Sequence, residues 1–112
     1  MTRSTALNDV EQFVLLALLR LGEDAYGVPI RAEIEDRASR PVSMAAVYAA
    51  LDRMQRGGLI EAQLSEPRPE RGGRARKHFR LRPAGTRALE DARRAMASMW
   101  DGVDLPEDAE AR

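Results

Sequence analysis

The spacing of apolar residues changes from helical to alternating and back along this chain. Val10, Phe13, Val14, Leu15, Leu16, Ala17, Leu18, Leu19 and Leu21 form a segment with almost no polar face. Asn8 and Glu11 stand three residues apart at its start, a capping-box spacing, and Leu7 takes the hydrophobic-staple position. A first helix is therefore predicted over 9–21, with Gly22 ending it. A helix apolar all round must be covered all round. One small domain can cover one side, so Val10, Phe13, Val14 and Ala17 are assigned to an interface with a second subunit.

A second helix is predicted over 28–38, opened by Tyr26-Gly27 and Pro29. Tyr26, Ile30 and Ile34 share a face, while Arg31, Glu33, Glu35 and Arg37 face water. After Arg40-Pro41-Val42, Ser43 can cap a third helix over about 43–56. Met44, Val47, Tyr48, Leu51 and Met54 make its apolar stripe. Gly57-Gly58 stops it, with Gly57 expected in the left-handed conformation.

The period then becomes two. Ile60, Ala62 and Leu64 alternate with polar residues, and so do Lys77, Phe79 and Leu81. These are the strands of a hairpin whose long tip runs from Glu66 to Ala75, punctuated by Pro67, Pro69, Gly72 and Gly73. Pro83 opens a last helix over about 83–100. Its stripe of Leu89, Ala92, Met96, Met99 and Trp100 follows a domain that is already complete, so it too is assigned to a subunit interface.

Three helices, a two-stranded wing and a fourth helix define the expected fold: mainly α with a small β-hairpin, a winged helix-turn-helix plus a C-terminal dimerisation helix. Residues 1–82 are expected to form the DNA-binding unit, 83–100 the dimerisation helix and 101–112 an acidic, flexible tail.

Charge sharpens this picture. The chain of 112 residues has no net charge, yet residues 68–82 carry seven Arg or Lys against Glu70 alone. Residues 101–111 carry five acids and no base. A basic block inside a neutral protein points to a polyanion. A charge run can also be a plain solvated loop. Its place inside a hairpin directly after an amphipathic helix favours DNA.

In a helix-turn-helix, the start of the second helix lies nearest the base edges. Those residues are Ser43, Ala45, Ala46, Tyr48 and Ala49, with Tyr26 beside them. Small side chains allow close approach, and alanine can touch a thymine methyl. The hydroxyls of Ser43 and Tyr48 can reach phosphates. The wing residues Arg71, Gly72, Gly73, Arg74, Arg76 and Lys77 suit phosphates or a narrow minor groove.

Other chemistries find little support. There is no cysteine and one histidine, His78, too few ligands for a metal site. His78 is expected at a phosphate or simply exposed. No nucleophile, base and orienting group assemble, so the chain is read as a non-enzyme without cofactor. The longest apolar run, Phe13–Leu19, is far short of a bilayer span, and Asp9 and Glu11 stand where a signal peptide wants positive charge. A cytoplasmic protein with no membrane partner is expected.

Tyr26-Gly27, Val47-Tyr48-Ala49-Ala50-Leu51-Asp52-Arg53-Met54, Gly57-Gly58-Leu59-Ile60, Gly73 to Leu81, and Gly85 with Leu89 together resemble the PadR family of bacterial regulators. The resemblance runs from about residue 9 to residue 90. It implies a winged-helix domain that binds double-stranded DNA as a two-fold dimer, paired through its first and C-terminal helices. Tyr48 matches the tyrosine of the family's recognition helix; Gly73, Arg74, Arg76 and Lys77 match its wing. The chain departs from the pattern at Met44-Ala45-Ala46, at Arg82-Pro83 and in the added Glu66-Pro67-Arg68-Pro69-Glu70.

Some members of the resembled family bind planar aromatic compounds between subunits. Met96 and Trp100 are the residues such an effector would touch here, although interface packing is the favoured reading of a Met and aromatic stripe. Three readings stay open: a dimeric repressor on an inverted repeat, a regulator released from DNA by an aromatic ligand, and a winged helix that binds protein. A cluster of seven bases disfavours the last.

Overall fold

The computed structural model describes residues 6–64 and 76–107. Its elements are α1 (Asp9–Leu21), a 3₁₀ turn (Gly22–Asp24), α2 (Gly27–Ala38), α3 (Met44–Arg56), β1 (Ile60–Leu64), β2 (Lys77–Leu81) and α4 (Pro83–Trp100). This is the expected mainly-α architecture with one antiparallel hairpin. No helix among the described residues is long and apolar enough to cross a membrane.

The start of α1 is a full capping box. The Asn8 side chain accepts from the Glu11 N–H at 2.8 Å, and Glu11 Oε1 accepts from the Asn8 N–H at 2.9 Å. The other carboxylate oxygen of Glu11 accepts from Arg53 Nε on α3 at 2.9 Å. One buried acid thus satisfies the start of α1 and ties it to α3.

The core lies between α1, α2, α3 and the inner face of the hairpin. Val14, Leu15, Ile30, Val47, Leu51, Met54 and Ile60 are fully buried there. Each contributes roughly 1.5–3 kcal/mol relative to exposure. The hairpin pairs Ile60 with Leu81 and Ala62 with Phe79, which puts these four on the core side. On the outer face Glu61 lies opposite Arg80 and forms an ion pair with it. Leu64, placed by alternation on the inner face, is 72% exposed, because it pairs with the exposed Lys77 beyond the reach of the helices.

Three expectations about the helices change in the structure. Gly57 ends α3 in a right-handed conformation, and Gly58 takes the left-handed turn at φ 79°. The Leu59 N–H returns to the Met54 carbonyl at 2.9 Å and the Gly58 N–H to that of Gln55 at 3.1 Å, a Schellman pattern one residue later than expected. Tyr48 leaves the packed stripe of α3; Ala50 takes the core position with Val47, Leu51 and Met54.

Val14 and Ala17 are the third change. They are buried in the chain's own core, at 0% and 2% exposure, and so are not interface residues. The apolar side chains that α1 leaves in solvent are Leu16 and Leu19. Val10 and Phe13 are half-buried against the core, Phe13 beneath the Arg40 guanidinium at 5.5 Å from its ring centroid.

Helix α4 packs against α1 and β2. Leu89 and Ala92 are half-buried, whereas Met96 (57%), Met99 (76%) and Trp100 (52%) stand in solvent.

Candidate nucleic-acid interface

The turn between α2 and α3 is fastened from several sides. Glu35 accepts from the Val42 N–H at 3.3 Å and pairs with Arg31. Arg40 reaches back to Asp9 on α1 at 3.1 Å. These polar contacts tie the turn before α3 to both α1 and α2.

Ser43 caps α3: its hydroxyl oxygen accepts from the Ala46 N–H at 3.0 Å, and its carbonyl from the Val47 N–H at 3.1 Å. Its O–H remains a donor. The Met44 and Ala45 N–H groups precede the first intrahelical bond and point out of the helix start. Ala45, Tyr48 and Ala49 are exposed and Ala46 half-buried, so the expected recognition residues form one small-residue face. Two residues that sequence reasoning passed over extend it: Asp52 and Arg56, exposed and ion-paired at 2.6 Å. Their spacing from Ala45 and Ala49, seven and eleven residues on from one or other alanine, was the available signal.

Tyr26 and Gly27 are where α3 and the wing meet. Gly27 lies against the hydroxyl end of the Tyr48 ring: a Cβ built on it would sit 2.7 Å from Tyr48 Cζ. Tyr26 receives the wing base. The Arg76 guanidinium lies over its ring at 5.3 Å, and His78 meets it edge-on with centroids 6.0 Å apart. The Phe79 N–H donates to the Ala25 carbonyl at 3.1 Å, fastening β2 to the segment that leads into α2. The start of α2 carries no side-chain cap, in contrast to α1 and α3.

His78 differs from expectation. It is half-buried, with Nδ1 buried and without a hydrogen-bond partner, held by the ring of Tyr26 rather than offered to solvent. Lys77 is exposed, its ammonium 5.9 Å from the Phe79 ring centroid. Arg71, Gly72, Gly73 and Arg74, together with the rest of the expected tip, lie outside the described residues. So do the tail acids Asp108 and Glu110.

A groove of about 660 Å³ runs between α1 and α4. Leu16, Leu19, Leu89, Met96 and Trp100 line it.

Two helices joined by a fastened turn, followed by a hairpin fixed to the first of them, define a winged helix-turn-helix. Residues 15–91 match the sequence model described as the transcriptional regulator PadR-like family. The chain belongs to that family. A comparison with curated proteins finds no match.

Solved structures share the fold. A PadR family regulator from Clostridium difficile shares 21% identity with a TM-score of 0.66, over 84% of this chain and 96% of that one. A PadR-like regulator from Bacillus cereus shares 22% with a TM-score of 0.65, over 82% and 84%. A PadR family regulator from Eggerthella lenta shares 25% with a TM-score of 0.65, over 81% and 77%.

Proposed function

We propose that this chain is a sequence-specific DNA-binding regulator, acting as a homodimeric repressor on an inverted-repeat operator. The observation that carries this reading is the meeting of recognition helix and wing at Tyr26-Gly27. Tyr48 from α3 and Arg76 from the wing base converge there beside an exposed row of alanines. Ala45, Ala46 and Ala49 let the backbone of α3 approach base edges. Ser43, Tyr48 and Tyr26 contact phosphates at its margin. Arg71, Gly72, Gly73, Arg74, Arg76 and Lys77 of the wing take flanking phosphates or the minor groove.

In this reading residues 1–82 form the DNA-binding unit, 83–100 the dimerisation helix and 101–112 the acidic tail. Leu16 and Leu19 of α1 meet Leu89, Ala92, Met96, Met99 and Trp100 of a second copy. Pairing sets the two recognition helices about 34 Å apart, one turn of DNA. Occupancy of a promoter then suffices for repression. The protein works in the cytoplasm, without catalysis, cofactor or metal.

A second reading adds an effector. The α1–α4 groove has the volume of a small-molecule site and is lined mainly by apolar groups, so a planar aromatic compound held by Met96 and Trp100 could alter subunit pairing.

The test is fluorescence anisotropy with a duplex enriched by the protein from a randomised pool, against its scrambled counterpart, at two salt concentrations. Selective binding that weakens steeply with salt is expected. Failure to enrich any sequence contradicts the DNA reading and favours a protein-binding winged helix.

A further inference from the structure

We infer that Gly27 is a positioning residue for DNA binding: its lack of a side chain makes the seat that holds the Tyr48 ring and hydroxyl at the edge of α3. This rests on the proposed reading of that edge as the DNA surface.

Backbone conformation does not explain the glycine. Gly27 lies in the first turn of α2 with no left-handed φ, so alanine fits the same backbone. Solvent exposure does not explain it either, for Gly27 is buried. What covers it is the far end of Tyr48. A Cβ at position 27 would overlap the Tyr48 hydroxyl oxygen, lie 2.7 Å from Cζ and 3.1 Å from Cε1. The ring therefore needs the bare Cα to lie where it does.

Tyr48 as a whole is 51% exposed, so its ring stands partly in solvent. Its hydroxyl end rests against the Gly27 surface. A ring seated at its hydroxyl end and partly open to solvent is a preorganised contact: the hydroxyl is held at the α2–α3 edge before a ligand arrives, and less entropy is lost on binding.

Gly85 offers the informative contrast. A Cβ there would run into the Leu59 carbonyl, which is main chain and accepts from the Arg82 N–H at 2.9 Å. Substitution at Gly85 strikes the fold. At Gly27 the obstacle is the end of an exposed side chain, which can swing into solvent and leave the backbone in place. Gly27→Ala should therefore separate stability from DNA binding.

The experiment measures thermal midpoint and affinity for the enriched duplex in the full-length chain and in Gly27→Ala, Tyr48→Phe, Tyr48→Ala and Gly27→Ala/Tyr48→Ala. Gly27→Ala is expected to melt at or above the unsubstituted midpoint and to bind roughly tenfold more weakly, the scale of one lost hydrogen bond to a charged group. Tyr48→Phe should lose a similar factor. In the Tyr48→Ala background, Gly27→Ala should change nothing further, because the group it displaces is gone.

Unchanged binding by Gly27→Ala overturns the inference. So does an equal loss in the presence and absence of Tyr48, and so does a lowered melting point that tracks the loss of binding. If the unsubstituted chain itself shows no selective binding, the DNA reading fails, and this inference falls with it. Selective binding that Gly27→Ala leaves intact removes this inference alone.

Discussion

Helices α3 and α4 carry similar apolar stripes, and the fold treats them in opposite ways. On α3, Val47, Ala50, Leu51 and Met54 are 0–1% exposed, closed over by α1, α2 and the hairpin. On α4, Leu89 and Ala92 lean on the body, while Met96, Met99 and Trp100 stand 52–76% exposed. A stripe tells that a helix needs cover; only packing tells whether its own chain supplies it. The exposed faces differ too. α3 turns alanines and Tyr48 outward, with one ion pair at Asp52–Arg56. The outward apolar groups of α4 are large, and methionine and tryptophan in contiguous exposure mark an interaction surface.

Substitutions can pull these two regions apart. The largest effect is expected inside the α3 stripe. Leu51→Ala should lower unfolding free energy by about 2–5 kcal/mol in denaturant titration, with loss of DNA binding following from loss of fold. A change under about 1 kcal/mol would mean that this stripe is not the centre of the core.

Met96→Glu should do the reverse. It should leave the folded body intact by circular dichroism and split the dimer, since a carboxylate enclosed in the interface without a partner costs about 3–5 kcal/mol. A dimer that persists in light scattering would show that the α4 stripe is covered by something other than a second copy.

Gly58→Ala sharpens the boundary between α3 and the wing. The left-handed conformation at φ 79° should cost about 1–2 kcal/mol in thermal or chemical unfolding. A neutral result would place the turn elsewhere in solution. The smallest effect is expected at the wing. Arg74→Ala should weaken binding evenly across sequences and reduce the salt slope by about 1, with stability unchanged. Sequence-dependent loss would instead make Arg74 a reader of bases.

Much of this is legible in the sequence. The bounds of α1, α3 and α4 follow from Asn8 with Glu11, from Ser43 and from Pro83, because caps act locally and each has a distinctive residue type. Less local features were not. Val14 and Ala17 look the same in sequence as Leu16 and Leu19, since a helix apolar all round does not say which side its own chain covers. Tyr48 sits at core spacing, yet bare Gly27 offers its ring a place outside the core. The choice between Gly57 and Gly58 for the left-handed turn depended on how Leu59 returns to Met54, a matter of one residue of phase. Arg56 as part of the α3 face needed the observed exposure of Asp52 beside it.

In the proposed mechanism a second copy completes α4 and DNA completes α3. The most direct measurement is light scattering coupled to size exclusion, on the chain alone and on its complex with a duplex carrying one enriched inverted repeat. The free protein is expected at twice the 12.5 kDa chain mass, and the complex with two chains per duplex. A free monomer that binds the duplex one to one would contradict it.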